Sequence, residues 1–408
     1  MKKNAAWFCS LVPLCCLFFA ALLQAQVKPG VEVLLSERMD LIRGKRVGLI
    51  TNPTGVTSLL VSTIDALHAH PEVKLVALFG PEHGVRGEVF AGQNVDDFVD
   101  ERTGVPAFSL YGKHRAPSPE MLQNVEVLVY DIQDIGSRAY TYIYTMALAM
   151  QAAAQQGIPF LVLDRPNPLG GELIEGPILE ERFQSFIGLY PIPYIYGLTV
   201  GELARYLNEE FRFGANLTVV PLQGWKRNML FADTGLPWVL TSPHVPHAST
   251  VFHIAAAGCL GELGVVNEGV GYTLPFELIG QTWIDGRELA ETLNAKKLPG
   301  VIFRPLYYRP YYFSSKDQLL SGVQVHLTDP RAFRPMLMQL HLIAALLQLY
   351  PGSDIFNTER VKSFDRAMGT DMVKLRLRRG VPPDSIYRTL EYDLKAYREK
   401  RVKYLMYE

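Results

Sequence analysis

The sequence predicts an α/β fold, a parallel sheet covered by helices on both faces, followed by a smaller α+β domain. Three observations lead there. Short apolar runs alternate with stretches of helical apolar spacing through the first half of the chain. Each long run ends in a polar tip rich in Gly or Pro, as parallel strands do where they meet their loops. The last third changes character, with longer helical stretches and two strands between them.

In order, Arg46-Val47-Gly48-Leu49-Ile50-Thr51 reads as the first strand, and Ser58 to His70 as a helix. Val73 to Phe79 is a second strand, and Ala107-Phe108-Ser109-Leu110 a short one. Val125 to Tyr130 follows, then a loop and a helix from Tyr140 to Gln156. Phe160 to Asp164 is a strand, Thr199 to Phe211 an amphipathic helix, and Leu217 to Val220 a strand. Helices are expected at 286–296, 330–350 and 387–404, with strands at 301–304 and 322–327. The domains expected are 26–254 and 255–408, with the cleft between them as the natural pocket.

Residues 1–25 read as a secretory signal: Lys2 and Lys3, an apolar run from Ala5 to Leu23, and a cut after Ala25. The alternative is a retained anchor, because the run is nearly long enough to span a bilayer. Cleavage implies an exported protein, periplasmic or secreted, with no membrane contact afterwards. Cys9, Cys15 and Cys16 leave with the signal, so Cys259 has no disulfide partner within the chain and reads as a small core residue. Without Lys2 and Lys3, 38 basic residues face 41 acidic ones. No basic stripe is present, which argues against nucleic acid. The 20 tyrosines suit a sugar or peptide surface as well as an ordinary core.

Four strand-end tips carry the chemistry. They are Thr51-Asn52-Pro53-Thr54-Gly55, Gly80-Pro81-Glu82-His83-Gly84, Asp131-Ile132-Gln133-Asp134 running on to Arg138, and Asp164-Arg165-Pro166-Asn167. In open α/β sheets, ligands bind outside the carboxyl ends of the strands. Glu82 sits among apolar residues, where burial raises a carboxyl group's pKa and suits it to general-acid work. His83 is placed to orient it or to bond substrate. Arg86 and Arg138 are candidate carboxylate clamps, with structural ion pairs as the equal alternative. Asp131 is a candidate for positioning water, or else a cap. Asn52 and Asn167 precede prolines and are turn formers or partners for sugar hydroxyls. Glu268 is a second carboxylate candidate near the domain junction, suited to a glycosidase pair or simply exposed. His244-Val245-Pro246-His247 lacks a third ligand at diagnostic spacing, so no metal is expected. No G-x-G-x-x-G, P-loop or G-x-S-x-G motif occurs where it would matter.

These motifs together resemble the NamZ-type exo-β-N-acetylmuramidases, glycoside hydrolase family 171, long known as a domain of unknown function. The matching runs are Gly48 to Gly55, Pro81 to Gly87, Asp131 to Arg138 with Tyr140-Thr141-Tyr142, and Asp164 to Gly171. Glu175-Gly176-Pro177 and Gly201-Glu202-Leu203 match as well. The resemblance spans nearly all of the chain after the signal. It implies a Rossmann-like catalytic domain, an ancillary C-terminal domain closing the cleft, and no cofactor. It implies release of N-acetylmuramic acid (MurNAc) from the non-reducing end of peptidoglycan fragments, with Glu82 as the catalytic glutamate.

On this basis Glu82, His83 and Asp131 are expected to be catalytic. Asn52, Arg86, Gln133, Arg138, Tyr140, Asn167, His244 and Glu268 are expected to bind substrate. Three positions depart from the family pattern: Ile195-Tyr196-Gly197, Ser242-Pro243-His244, and Gly271-Tyr272-Thr273-Leu274-Pro275-Phe276-Glu277. The partners implied are MurNAc–GlcNAc saccharides or muropeptides. The rival readings are a non-catalytic muropeptide-binding protein and a peptidase or amidase acting on the stem peptide. Oligomeric state and anomeric outcome stay open.

Overall fold

The structure, a computed structural model, describes residues 27–87, 97–313 and 315–408. The expected signal lies outside them. Helix α1 (Gly30–Glu37) precedes β1 (Arg46–Thr51). Helix α2 (Thr63–Ala69) begins five residues later than its apolar spacing predicts. The Thr57 hydroxyl accepts from Leu59 and Val61 amides and holds a turn there, and Ser62 then caps the helix by accepting from the Ile64 amide. There follow β2 (Lys74–Gly80), β3 (Phe98–Val99), β4 (Pro106–Ser109), α3 (Pro119–Leu122), β5 (Val127–Asp131), α4 (Tyr142–Gln155) and β6 (Phe160–Leu163). A hairpin, β7 (Glu175–Ile178) and β8 (Pro193–Ile195), leads to α5 (Val200–Glu210) and β9 (Leu217–Val220).

Seven strands form one sheet in the order β3-β4-β2-β1-β5-β6-β9. All neighbours in it are parallel except β3 with β4. Alternate residues feed two cores. Ile50, Phe79, Leu128 and Phe160 pack on one face, and Leu49, Leu78, Val129 and Leu161 on the other. The chain leaves β1 towards β2 and later returns to β5 on the other side of β1. The carboxyl ends of β1 and β5 therefore flank a topological switch point, where such sheets hold ligands.

The C-terminal part opens with α6 (Thr250–Gly261), which runs across the expected boundary at 254/255. A three-stranded antiparallel sheet, β10-β12-β11, is built from β10 (Leu278–Gln281), β11 (Val301–Tyr308) and β12 (Leu320–Leu327), with α7 (Gly286–Asn294) packed on it. Helices α8 (Pro335–Leu349), α9 (Val361–Met368), α10 (Met372–Arg378), α11 (Pro383–Asp393) and α12 (Lys395–Arg401) complete the chain. The single helix expected at 387–404 is thus two, with the break at Leu394. Leu394 and Tyr397 are buried in the core of the seven-stranded sheet. The last residues stay there: the Tyr407 hydroxyl donates to Asp164, and the Met406 amide to Glu202. Ile135, Leu169, Tyr194 and Ile195 join the C-terminal core in return.

Candidate active site

Glu82 lies two residues beyond β2. Behind it, His83 and Gly84 both take positive φ, 77° and 79°, and the Gly84 amide closes a turn onto the Pro81 carbonyl. A histidine in the left-handed region is uncommon and is held there by its surroundings. This backbone leaves Glu82 half-buried and His83 buried.

Two other loops bring side chains to Glu82, and a third sets Asn52 beside them. After β4, the Tyr111 hydroxyl lies against it. Burial and then the Glu82 charge push that hydroxyl's pKa up. At the start of α4, Tyr142 donates to the Thr241 carbonyl at 2.6 Å, and burial, Tyr140 and Glu82 raise its pKa too. Tyr140 packs edge-on against Tyr142 at 4.9 Å. Its buried hydroxyl lies beside Thr241 and Ser242, with no hydrogen-bond partner among the described residues. After β1, Asn52 Oδ1 accepts from the Thr54 amide and hydroxyl, an Asx turn that sets the side chain beside Tyr142.

The opposite wall comes from residues 241–247 and the β11–β12 turn. His244, its pKa lowered by burial and by His83, stacks on Tyr312 at 6.2 Å. Phe313 stands edge-on to His244 at 5.8 Å. Tyr311, Tyr312 and Phe313 are exposed, and Phe313 has φ of 64°. Glu82 and His83 are thus enclosed by phenols from the first domain, with His244 and the aromatic turn beside them.

The structure brings Asn52, Glu82, His83, Tyr140 and His244 together and commits the remaining expected residues elsewhere. Asp131, expected to be catalytic, is fully buried. It accepts from Arg165 Nε at 2.5 Å, Arg165 Nη2 at 2.9 Å and the Thr63 hydroxyl at 2.5 Å, so it ties three loops together. Arg86, expected to clamp an anion, is bonded to Asp100 and Asp65, and Asp100 is held down to about 2 mainly by that hydrogen bond. Arg138 is buried and donates to the Ala367 and Met368 carbonyls, joining the two domains.

Gln133 Nε2 donates to the Asp134 and Pro166 carbonyls. Asn167 accepts from the Leu169 amide and donates to the Leu198 carbonyl. Both brace loops. Glu268 packs against Gly261, with Glu262, Arg360 and Tyr308 as its polar neighbours, none of them in the Glu82 group. Burial pushes its carboxyl up to about 7. A separate polar cavity of about 540 Å³ between the domains is lined by Glu175, Arg334 and Tyr387, among others, and includes none of the Glu82 group.

Sequence reasoning passed over Tyr111, Tyr142 as a site residue, and Tyr312. The tip after β4, Leu110-Tyr111-Gly112, shares the glycine of the other tips but not their carboxylate, amide or guanidinium side chains.

Family models described as the N-terminal and C-terminal domains of exo-β-N-acetylmuramidase NamZ match residues 47–249 and 256–407. The peptidoglycan β-N-acetylmuramidase NamZ of Bacillus subtilis (strain 168) is 48% identical over 382 residues, covering 94% of this chain and 92% of that protein. A crystal structure of a DUF1343 family protein from Bacteroides fragilis NCTC 9343 has a TM-score of 0.89 at 46% identity, covering 94% of this chain and 100% of its own. A second from the same organism has a TM-score of 0.77 at 27% identity, covering 94% and 99%. Both domain models match in order, and the chain belongs to the NamZ family of exo-β-N-acetylmuramidases.

Proposed function

We propose that the cleft at Glu82 hydrolyses the β-glycosidic bond of a terminal MurNAc at the non-reducing end of peptidoglycan fragments. The observation that carries the reading is the placement of Glu82 beside the switch point, with the Tyr111 hydroxyl against it, Tyr142 near enough to feel its charge, and the His83–His244 pair next to it. Glu82 donates its proton to the departing glycosidic oxygen as the C1–O bond breaks, and water completes the exchange at C1. Phenols that exclude bulk water around the carboxyl strengthen its interaction with the leaving oxygen. Asn52, Tyr140 and His244 are the side chains placed to bond sugar hydroxyls or the acetamido group.

The test is incubation with the disaccharide MurNAc-β-1,4-GlcNAc, with products read by mass spectrometry. Wild type should release free MurNAc. Glu82→Gln should lower turnover by at least about 10²-fold, the range over which general acids act, with melting temperature unchanged. A Glu82→Gln variant that cleaves at the wild-type rate removes Glu82 from this role.

The basic and apolar character of residues 1–25 supports export to the compartment where peptidoglycan lies. Export predicts a mature chain beginning at Gln26. N-terminal sequencing of protein made in its own host would show it, and an intact Met1 on the membrane fraction would favour an anchor instead.

A further inference from the structure

Four guanidinium groups belong to the strand-end loops: Arg86, Arg115, Arg138 and Arg165. Arg86 and Arg165 are committed to carboxylates, and Arg138 is wholly buried with its Nη2 on two carbonyls. Arg115 is different. Its guanidinium lies between two rings, 4.8 Å from the Tyr111 centroid and 3.9 Å from that of Phe186. Its Nη1 is buried and has no hydrogen-bond partner among the described residues, nor does any carboxylate among them pair with it. A buried N–H left unmade is costly and calls for a partner, whether water, an ion or a ligand. The ring on one side of it, Tyr111, is the one whose hydroxyl touches Glu82.

We infer that Arg115 is the residue that selects muramic acid, by binding the carboxylate of its lactyl ether. This rests on the reading of the Glu82 cleft as a MurNAc glycosidase. MurNAc differs from GlcNAc only in that ether, and the ether's distinguishing group is an anion. A guanidinium fork matches a carboxylate with two parallel N–H···O bonds. Stacking between Tyr111 and Phe186 holds the planar cation in place. The aromatic sleeve also keeps water off the pair, which strengthens it. Arg86 does not meet these conditions because Asp100 and Asp65 hold it, and Arg138, although its Nε and Nη1 also lack partners among the described residues, is wholly buried where the two domains join.

The experiment compares 4-nitrophenyl β-MurNAc carrying the free lactyl acid with the same glycoside as its lactyl methyl ester. Wild type should prefer the acid by at least ten-fold in kcat/KM. In Arg115→Met that ratio should fall to near one, with the loss confined mainly to the acid. Arg115→Lys, which keeps the charge without the fork, should fall between, and it is the second variant should Arg115→Met fail to fold. A merely structural arginine would lower both substrates together. An unchanged acid-to-ester ratio in the variants, or a wild type with no preference for the acid, overturns the assignment while leaving the glycosidase reading intact. A wild type that cleaves neither glycoside overturns the glycosidase reading and this assignment with it.

Discussion

Asp131 and Glu82 both stand at the carboxyl end of a central strand, and their partners and burial separate them. Asp131 meets a guanidinium 34 residues away along the chain, and with Arg165 forms a pair whose side chains are at most 6% exposed. Glu82 meets phenols instead. The sequence showed both carboxylates at strand ends and had no means of showing which would find Arg165, because that pairing depends on how the β5 and β6 loops converge. The same limit applies to Arg86, Arg138 and Arg115, three arginines in loops of similar composition. The structure predicts opposite behaviour for the two carboxylates. Removing one partner of a buried pair leaves an uncompensated charge and costs about 3–5 kcal/mol. Arg165→Met should therefore lower stability by that amount in urea unfolding, whereas Glu82→Gln should leave it almost unchanged. Equal midpoints for Arg165→Met and wild type would show that the pair contributes little.

At the scale of elements, strands were easier to read than helices. β1, β2, β5, β6 and β9 are short apolar runs closed by turn residues, and each lies within two residues of its expected position. Helix α5 was legible because Thr199 and Glu202 form a capping box ahead of an amphipathic pattern. Helix α6 was not. Its run Thr250 to Gly261 is apolar on nearly every side, so it has little periodicity, and it is buried among other helices of the C-terminal core. The β7–β8 hairpin was missed for a related reason: Glu175 at its start is a buried carboxyl, bonded by the Tyr387 hydroxyl and the Met336 amide from the other domain. Gly322 shows a tertiary requirement of the same kind. A Cβ there would meet the Ile279 carbonyl oxygen at 1.9 Å, so β10 can pair with β12 only because that side chain is absent. Such features depend on contacts far along the chain, and local pattern does not reveal them.

For the whole molecule, the α/β class followed from alternation and the strand-end tips, but the way the domains are fastened did not. The fastening is a set of buried carboxyls that bond across the domains or to the chain's end. Asp164, after β6, accepts from the Thr199 hydroxyl, the Gly201 amide and the Tyr407 hydroxyl, the last 243 residues away. Burial outweighs these bonds, and Glu202 adds to it, so Asp164 is pushed up to about 7. Burial likewise raises Glu175 to about 7 and Asp134 to about 6. In the unfolded chain all three titrate near 4. Between about pH 4 and pH 7 the folded state therefore holds more protons than the unfolded state, and stability falls as pH rises through that window. His253 and His341 act in the opposite sense: burial lowers their pKa, so their contribution is lost as pH falls below about 6.5. Asp100, held down by Arg86, matters only below about pH 4. These trends place the stability maximum in mildly acidic solution and predict a melting temperature that declines from pH 6 to pH 8. Asp164→Asn keeps the side chain's shape and removes its titration, so it should flatten that decline, and a slope equal to wild type would show that the carboxyl at the end of β6 is not what the pH dependence reports.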